Sequence, residues 1–121
     1  MAAKVAKNVG TNPAALCGSL AIDFLSQFES KDMILSALAK GAIGDAYAQK
    51  NQPKEALENY IKAVEASKND FTTPRFLLKA GKTALSLGNK EEALKYLTDI
   101  KDNYDTTPEA ASVDVLIGLA Q

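Results

Sequence analysis

Apolar residues recur along the chain at the spacing of amphipathic helices. One apolar face is formed by Ala56, Leu57, Tyr60, Ile61, Ala63 and Val64, and a second by Ala93, Leu94, Leu97 and Ile100. Members of each set recur three, four and seven positions apart, which places them on one side of a helix. No segment shows the two-residue alternation that is typical of a strand. The pattern therefore predicts an all-α chain.

Four prolines divide the chain at Asn12-Pro13, Gln52-Pro53, Thr73-Pro74 and Thr107-Pro108. Proline is tolerated at the first helical position, so four helices are predicted to begin there, with Asn12, Thr73 and Thr107 as caps. Ser30 is predicted to cap a further helix, and Gly88-Asn89 to separate two more. About seven helices follow, at residues 2–9, 13–29, 31–50, 53–68, 74–87, 90–104 and 108–120. Short linkers between them favour antiparallel neighbours.

Residues 40–60 and 77–97 align with each other without gaps. Gly44 and Gly81 are 37 positions apart, as are Ala56 and Ala93, and each glycine precedes its alanine by 12 positions. A glycine lets one helix approach the next closely, and a small residue on the second helix completes the crossing. The spacing therefore predicts two copies of one helix pair.

This pattern resembles the tetratricopeptide repeat (TPR) family. The matching positions are Ile43, Gly44, Tyr47, Ala56, Tyr60 and Ala63 in the first copy, and Gly81, Ala93 and Leu97 in the second, while Lys40 and Leu77 replace the family's tryptophan. The resemblance implies a right-handed superhelix of antiparallel helix pairs. It also implies that Gly44, Tyr47, Ala56, Tyr60, Ala63, Gly81, Ala93 and Leu97 pack the repeats. Peptides would bind in a concave groove lined by the first helix of each pair.

The resemblance predicts one domain over residues 1–121. Residues 1–30 form a degenerate first pair, residues 31–68 and 74–104 the two repeats, and residues 108–121 a terminal helix that solvates the array. The period of 37 exceeds the ~34 residues usual for the family, and we place the three extra residues in 69–73, in the second helix or its exit loop.

A narrower likeness concerns bacterial envelope TPR proteins similar to the ancillary subunit of the Sec translocon. The phrase around residues 30–47 and the short array carry it. It implies a soluble domain on the cytoplasmic or the periplasmic side of a bacterial envelope. Such proteins usually have an N-terminal membrane anchor. No stretch of this sequence approaches the ~20 apolar residues that a membrane span needs.

The groove positions supply the candidate binding residues. Arg75, Lys79 and Lys82 recur at i, i+4 and i+7 next to Leu78, which predicts a basic stripe able to hold an acidic segment or a terminal carboxylate. The alternative is a solvated lysine face. On the first repeat, four residues are predicted to form a shallow, mildly acidic surface: Gly41, Asp45, Ala48 and Gln49. The family's carboxylate clamp needs lysine and asparagine where Gly41 and Asp45 stand, so that mode is not expected.

Composition narrows the function further. The chain has no histidine, a single cysteine and a single arginine, and its net charge is −1. Histidine-dependent triads and zinc sites are therefore excluded, and Cys17 is predicted to be a buried thiol. The charge balance disfavours nucleic acid. We predict a non-enzymatic module without metal or cofactor that binds a protein or peptide. The alternative is a self-association domain that dimerises through its open N-terminal end.

Overall fold

The computed structural model describes residues 20, 22–23, 25–26 and 32–121. The helices are α1 (Met33–Gln49), α2 (Pro53–Ala66), α3 (Thr73–Ser86), α4 (Lys90–Asn103), a 3₁₀ helix (Pro108–Ser112) and α5 (Val113–Ala120). The described residues contain no strand, which confirms the all-α prediction for that part of the chain. They form five α-helices rather than the seven predicted for the whole sequence. The predicted helices 2–9 and 13–29 lie outside the described residues, apart from helical positions at 20, 22–23 and 25–26.

The four predicted caps are wrong or fall outside the described residues. The first helix begins at Met33, and its cap is Asp32, whose carboxylate accepts the backbone N–H of Ile34 at 2.9 Å. Ser30 lies outside the described residues, as does Asn12. Thr73 is the first residue of α3 and gives no cap, while the Thr107 hydroxyl donates backwards to a carbonyl. A threonine hydroxyl can bond to a nearby backbone carbonyl instead of accepting an N–H of the first helical turn, and the caps predicted at Thr73 and Thr107 fail for this reason.

The first helix of each pair ends in the same way. Asn51 and Gly88, which are equivalent under the 37-residue shift, adopt left-handed φ angles of 61° and 81°. The following residue then bonds back into the last helical turn, as in a Schellman motif. These bonds are Gln52 N–H to Tyr47 O and Asn89 N–H to Ala84 O, each 2.9 Å. Two identical helix ends set the antiparallel pairs α1–α2 and α3–α4.

A glycine on the first helix of each pair forms a notch for a side chain on the second. A Cβ placed on Gly44 would lie 2.6 Å from the Tyr60 ring and 3.1 Å from the Ala56 carbonyl oxygen. A Cβ on Gly81 would lie 2.8 Å from the Leu97 side chain. Tyr60 and Leu97 are buried, with 4% and 0% of their surface exposed. The close approach of each helix pair therefore depends on the missing Cβ.

The segment between the two pairs is a loop closed by side-chain hydrogen bonds. Helix α2 ends at Ala66, and the Asn69 side chain accepts the backbone N–H groups of Phe71 and Thr72 at 2.8 and 2.7 Å. Its amide donates to the hydroxyls of Ser67 and Thr72. The buried Thr73 hydroxyl donates to the Ser67 carbonyl. The loop thus satisfies its own polar groups, which lets it pack into the fold.

The C-terminal helix also departs from the prediction. The single helix expected at 108–120 is a 3₁₀ helix followed by α5, because the turn that begins at Pro108 closes with the tighter bond of Ala110 N–H to Thr107 O. Val113 is buried against α4, but Val115 and Leu119 are 71% and 63% exposed. The outward face of α5 is therefore apolar, unlike the polar face expected of a solvating terminal helix.

Candidate functional site

The predicted groove residues lie on the first helices of the two pairs. They are Asp45 and Gln49 on α1, and Arg75, Leu78, Lys79 and Lys82 on α3. Gln49, Arg75 and Lys82 are exposed, and the other three are partly buried. The structure brings Asp45 and Lys79 into direct contact, although they are 34 positions apart in the chain.

Asp45 and Lys79 form an ion pair that bridges the two repeats. The Lys79 ammonium lies 2.8 Å from each carboxylate oxygen of Asp45. The Tyr60 hydroxyl donates to the same carboxylate at 2.7 Å. The side chains of Lys79 and Asp45 keep 31% and 44% exposure, so water screens the pair, and its contribution to stability is about 0.2–1 kcal/mol. The ion pair therefore fixes the positions of the two side chains more than it adds to the free energy of unfolding.

Two aromatic rings support the lysine. The Lys79 ammonium lies 5.9 Å from the centre of the Tyr60 ring and 5.8 Å from that of Phe76. The two rings are stacked, with centroids 6.4 Å apart and planes inclined by 15°. A cation over an aromatic face is attracted by the negative charge of that face. Lys79 is thus held between a carboxylate and two rings, which suits positioning rather than proton transfer.

Gly41 does not lie on the shallow surface predicted for it. It is buried, and the Phe76 ring occupies the space that its Cβ would need. The repeat pattern gives no reason to pair these two residues, since neither is one of its marked positions. The signal available was a second glycine three positions before Gly44, together with a lone aromatic residue at the start of α3. Phe76 is the principal site residue that sequence reasoning missed.

The ion pair changes the charge of the basic stripe. Lys79, its middle member, is neutralised by Asp45. Within the described part of the chain, neither Arg75 nor Lys82 has an ion-pair partner. They stand two helical turns apart, about 10.5 Å along α3. Among the described residues, the stripe therefore presents two unpaired cations flanking one that is paired.

Burial disfavours ionisation of the Tyr60 hydroxyl, which lies beside Asp45 and Lys79. Desolvation raises the pKa of Tyr60 well above its usual range, and the hydrogen bond to Asp45 and the charge of Asp45 act in the same direction. The pKa of Tyr96 is also raised, first by burial and then by nearby Glu92 and Glu65. Tyr60 consequently remains a hydrogen-bond donor to Asp45 well into alkaline solution.

The raised pKa predicts alkaline destabilisation. Above pH of about 10 the unfolded chain releases the Tyr60 proton while the folded chain keeps it, so stability is full below that pH and falls as the pH rises. The slope for one such phenol is about 1.4 kcal/mol per pH unit. Tyr60→Phe removes the group. Urea unfolding between about pH 8 and 11 should therefore give a shallower decline for the variant. Parallel declines in the two chains would contradict the assignment.

Neither metal binding nor membrane spanning has support in the described residues. Over that part of the chain, no group of three or more acidic or cysteine side chains is placed to hold a metal ion. No helix of the described segments combines the length and apolar character needed to cross a bilayer.

The comparison with known families decides the repeat type. A tetratricopeptide repeat model matches residues 37–70 and 74–100, which together make up just over half of the chain. The chain belongs to the tetratricopeptide repeat family. The two matches begin 37 residues apart, at the period that the glycines and alanines predict. No curated protein and no solved structure matches the chain. The narrower likeness to Sec-associated envelope TPR proteins stays a prediction, as does the right-handed superhelix.

Membership in the TPR family explains why the helix-pair contacts recur. Ala56 and Ala93 are completely buried at the crossings, as is Ala63, while Tyr47 is partly buried at the edge of the same core. TPR domains generally mediate protein–protein interaction, and they are typically non-catalytic.

Proposed function

We propose that the protein is a non-catalytic interaction module that binds an acidic peptide or partner helix on the concave face of its TPR array. In this proposal the helix pairs wind into a right-handed superhelix, residues 1–30 form the first pair, and α1 and α3 line the groove. Stacked repeats hold their side chains in fixed positions, so that little ordering is needed when a partner binds.

The observation that carries the proposal is that the three basic residues of α3 have different surroundings. Lys79 is occupied by Asp45, whereas Arg75 and Lys82 are exposed on either side of it. Arg75 supplies the planar guanidinium that pairs with a carboxylate through two hydrogen bonds. Leu78 provides apolar surface beside it. An acidic segment with two carboxylates about 10 Å apart fits this surface, at i and i+7 in a helix or at i and i+3 in a polyproline II segment.

The test is the double variant Arg75→Glu/Lys82→Glu, which leaves the Asp45–Lys79 pair intact. Affinity capture from the source cells should lose the partners that the unaltered protein retains. Binding of a captured partner, measured by calorimetry, should weaken about tenfold or more, and the affinity of the unaltered protein should fall as salt is raised.

The matched control is Lys54→Glu/Lys95→Glu, which changes the net charge equally at exposed positions of α2 and α4. It should keep the partners. Asp45→Asn should act oppositely to the stripe variant, because it frees the Lys79 ammonium for the partner. Identical partner lists for the stripe variant and the unaltered protein would refute the proposed groove.

Self-association is a second candidate, favoured by one observation. Met33, Ile34 and Leu35 at the start of α1 are 62%, 41% and 48% exposed. Exposed apolar surface favours pairing with another copy. Light scattering on the purified chain distinguishes the two candidates. A monomer at all concentrations excludes self-association, and a dimer broken by Ile34→Glu supports it.

A further inference from the structure

The middle of the basic stripe presents a negative charge beside its positive one. The Asp45 carboxylate lies 2.8 Å from the Lys79 ammonium, and its side chain is 44% exposed, against 31% for Lys79. Arg75 and Lys82, on either side, are exposed cations with no such carboxylate beside them in the described part of the chain. A partner that lies along the stripe therefore meets a cation, then a carboxylate paired with an ammonium, then a second cation.

The hydrogen bonds of Asp45 leave room for one more donor. An ionised carboxylate has about four lone-pair sites, two on each oxygen. Its Oδ1 accepts both the Tyr60 hydroxyl and the Lys79 ammonium, whereas Oδ2 accepts Lys79 alone among the described residues. A donor from a partner can therefore bond to Oδ2 without displacing either contact.

A carboxylate from a partner is disfavoured at the same place. The Lys79 ammonium already donates to both oxygens of Asp45 and lies over two aromatic rings. A second carboxylate at hydrogen-bonding distance from this ammonium would lie within about 6 Å of the first. Two negative charges at that separation repel each other, and like charges placed together in an interface oppose binding. The middle of the stripe thus disfavours the group that its two ends attract.

We infer that Asp45 determines specificity by selecting a partner helix in which a basic or hydrogen-bond-donating residue stands between two acidic ones. The inference rests on the proposed groove and specifies the sequence that the groove binds. The acidic residues at i and i+7 pair with Arg75 and Lys82, and the residues at i+3 and i+4 lie between them on the same face of the helix. Lysine, arginine or glutamine at those positions faces Asp45. A uniformly acidic helix binds more weakly, although a stripe of three free cations would favour it.

The test uses three fluorescent helical peptides with glutamate at i and i+7 and with lysine, alanine or glutamate at both i+3 and i+4. Circular dichroism establishes that their helix contents match. Anisotropy with the full chain should give an affinity at least fivefold higher for the lysine peptide than for the glutamate peptide, with alanine between them. Moving the same two residues to i+2 and i+5, on the opposite face of the peptide, should abolish the preference for lysine.

Asp45→Asn is the matched variant of the protein. It keeps an oxygen that can accept the Tyr60 hydroxyl, but it leaves the Lys79 ammonium free for the partner, so the preference should reverse in favour of the glutamate peptide. Equal affinities of the unaltered chain for the lysine and glutamate peptides, or a preference for glutamate, would overturn the inference. The proposed groove would still stand in that case if Arg75→Glu/Lys82→Glu abolished binding. No binding of any peptide, or binding that this double variant leaves intact, would refute the groove itself and the inference with it.

Discussion

Replacing Phe76 with alanine is expected to lower the free energy of unfolding by about 3–5 kcal/mol. The ring is 3% exposed and fills the space over Gly41, so its removal leaves a cavity between α1 and α3. It also removes the stacking partner of Tyr60 and one of the two rings beneath Lys79. Contacts on three helices are lost together, which is why the effect should lie at the upper end for a single substitution. Urea unfolding monitored by circular dichroism measures it.

Phe71 provides the matched control for this change. It is the same residue type in the loop before α3, but it is 62% exposed. Phe71→Ala should therefore change the unfolding free energy by no more than about 0.5 kcal/mol. A comparable loss at both positions would show that Phe76 does not hold the two repeats together.

Replacing Gly44 with valine should destabilise the fold by about 1–3 kcal/mol or more. The new Cβ meets the Tyr60 ring at 2.6 Å and the Ala56 carbonyl oxygen at 3.1 Å. The ring is held by its bond to Asp45, and the carbonyl belongs to the backbone of α2, so neither can move aside without disturbing the pair. The strain should exceed the small gain in helix propensity over glycine.

Gly118→Val is the control for that prediction. The two glycines share one register position, and both lie within helices, so the propensity change is the same. Space around Gly118 is open, and the substitution should be neutral or slightly stabilising by thermal unfolding. Equal destabilisation at both sites would contradict the notch as the cause.

Much of the fold is readable from local pattern. The glycine and alanine spacing predicts two helix pairs because a close crossing requires small residues on both helices, and Gly88 marks a helix end because a left-handed φ suits glycine. Asn51 adopts the same left-handed conformation although it is not a glycine, and in the sequence only its alignment with Gly88 indicates a helix end there.

The candidate site was less predictable because its decisive contacts link separate repeats. The sequence predicts Asp45 and Lys79 as groove residues, but their pairing depends on how α1 and α3 meet, which helical periodicity does not specify. Phe76 carries no mark of a special position, since an aromatic residue in the first turn of a helix is equally typical of core packing. The exposure of Gly118 could not be predicted either. Gly118 follows Gly81 by 37 positions in the sequence, but only the structure shows that no atom lies within 4 Å of the position of its Cβ.

The closed loop between the repeats has a consequence for how this chain can change. Segments between helices usually accept insertions and are the first to be cut by proteases. Here Thr72, Thr73 and Pro74 are almost completely buried, and Asn69 is bonded through every polar atom of its side chain. An added residue would break several of these bonds at once. The loop between the repeats is therefore a poor place for an insertion, a tag or a protease cut.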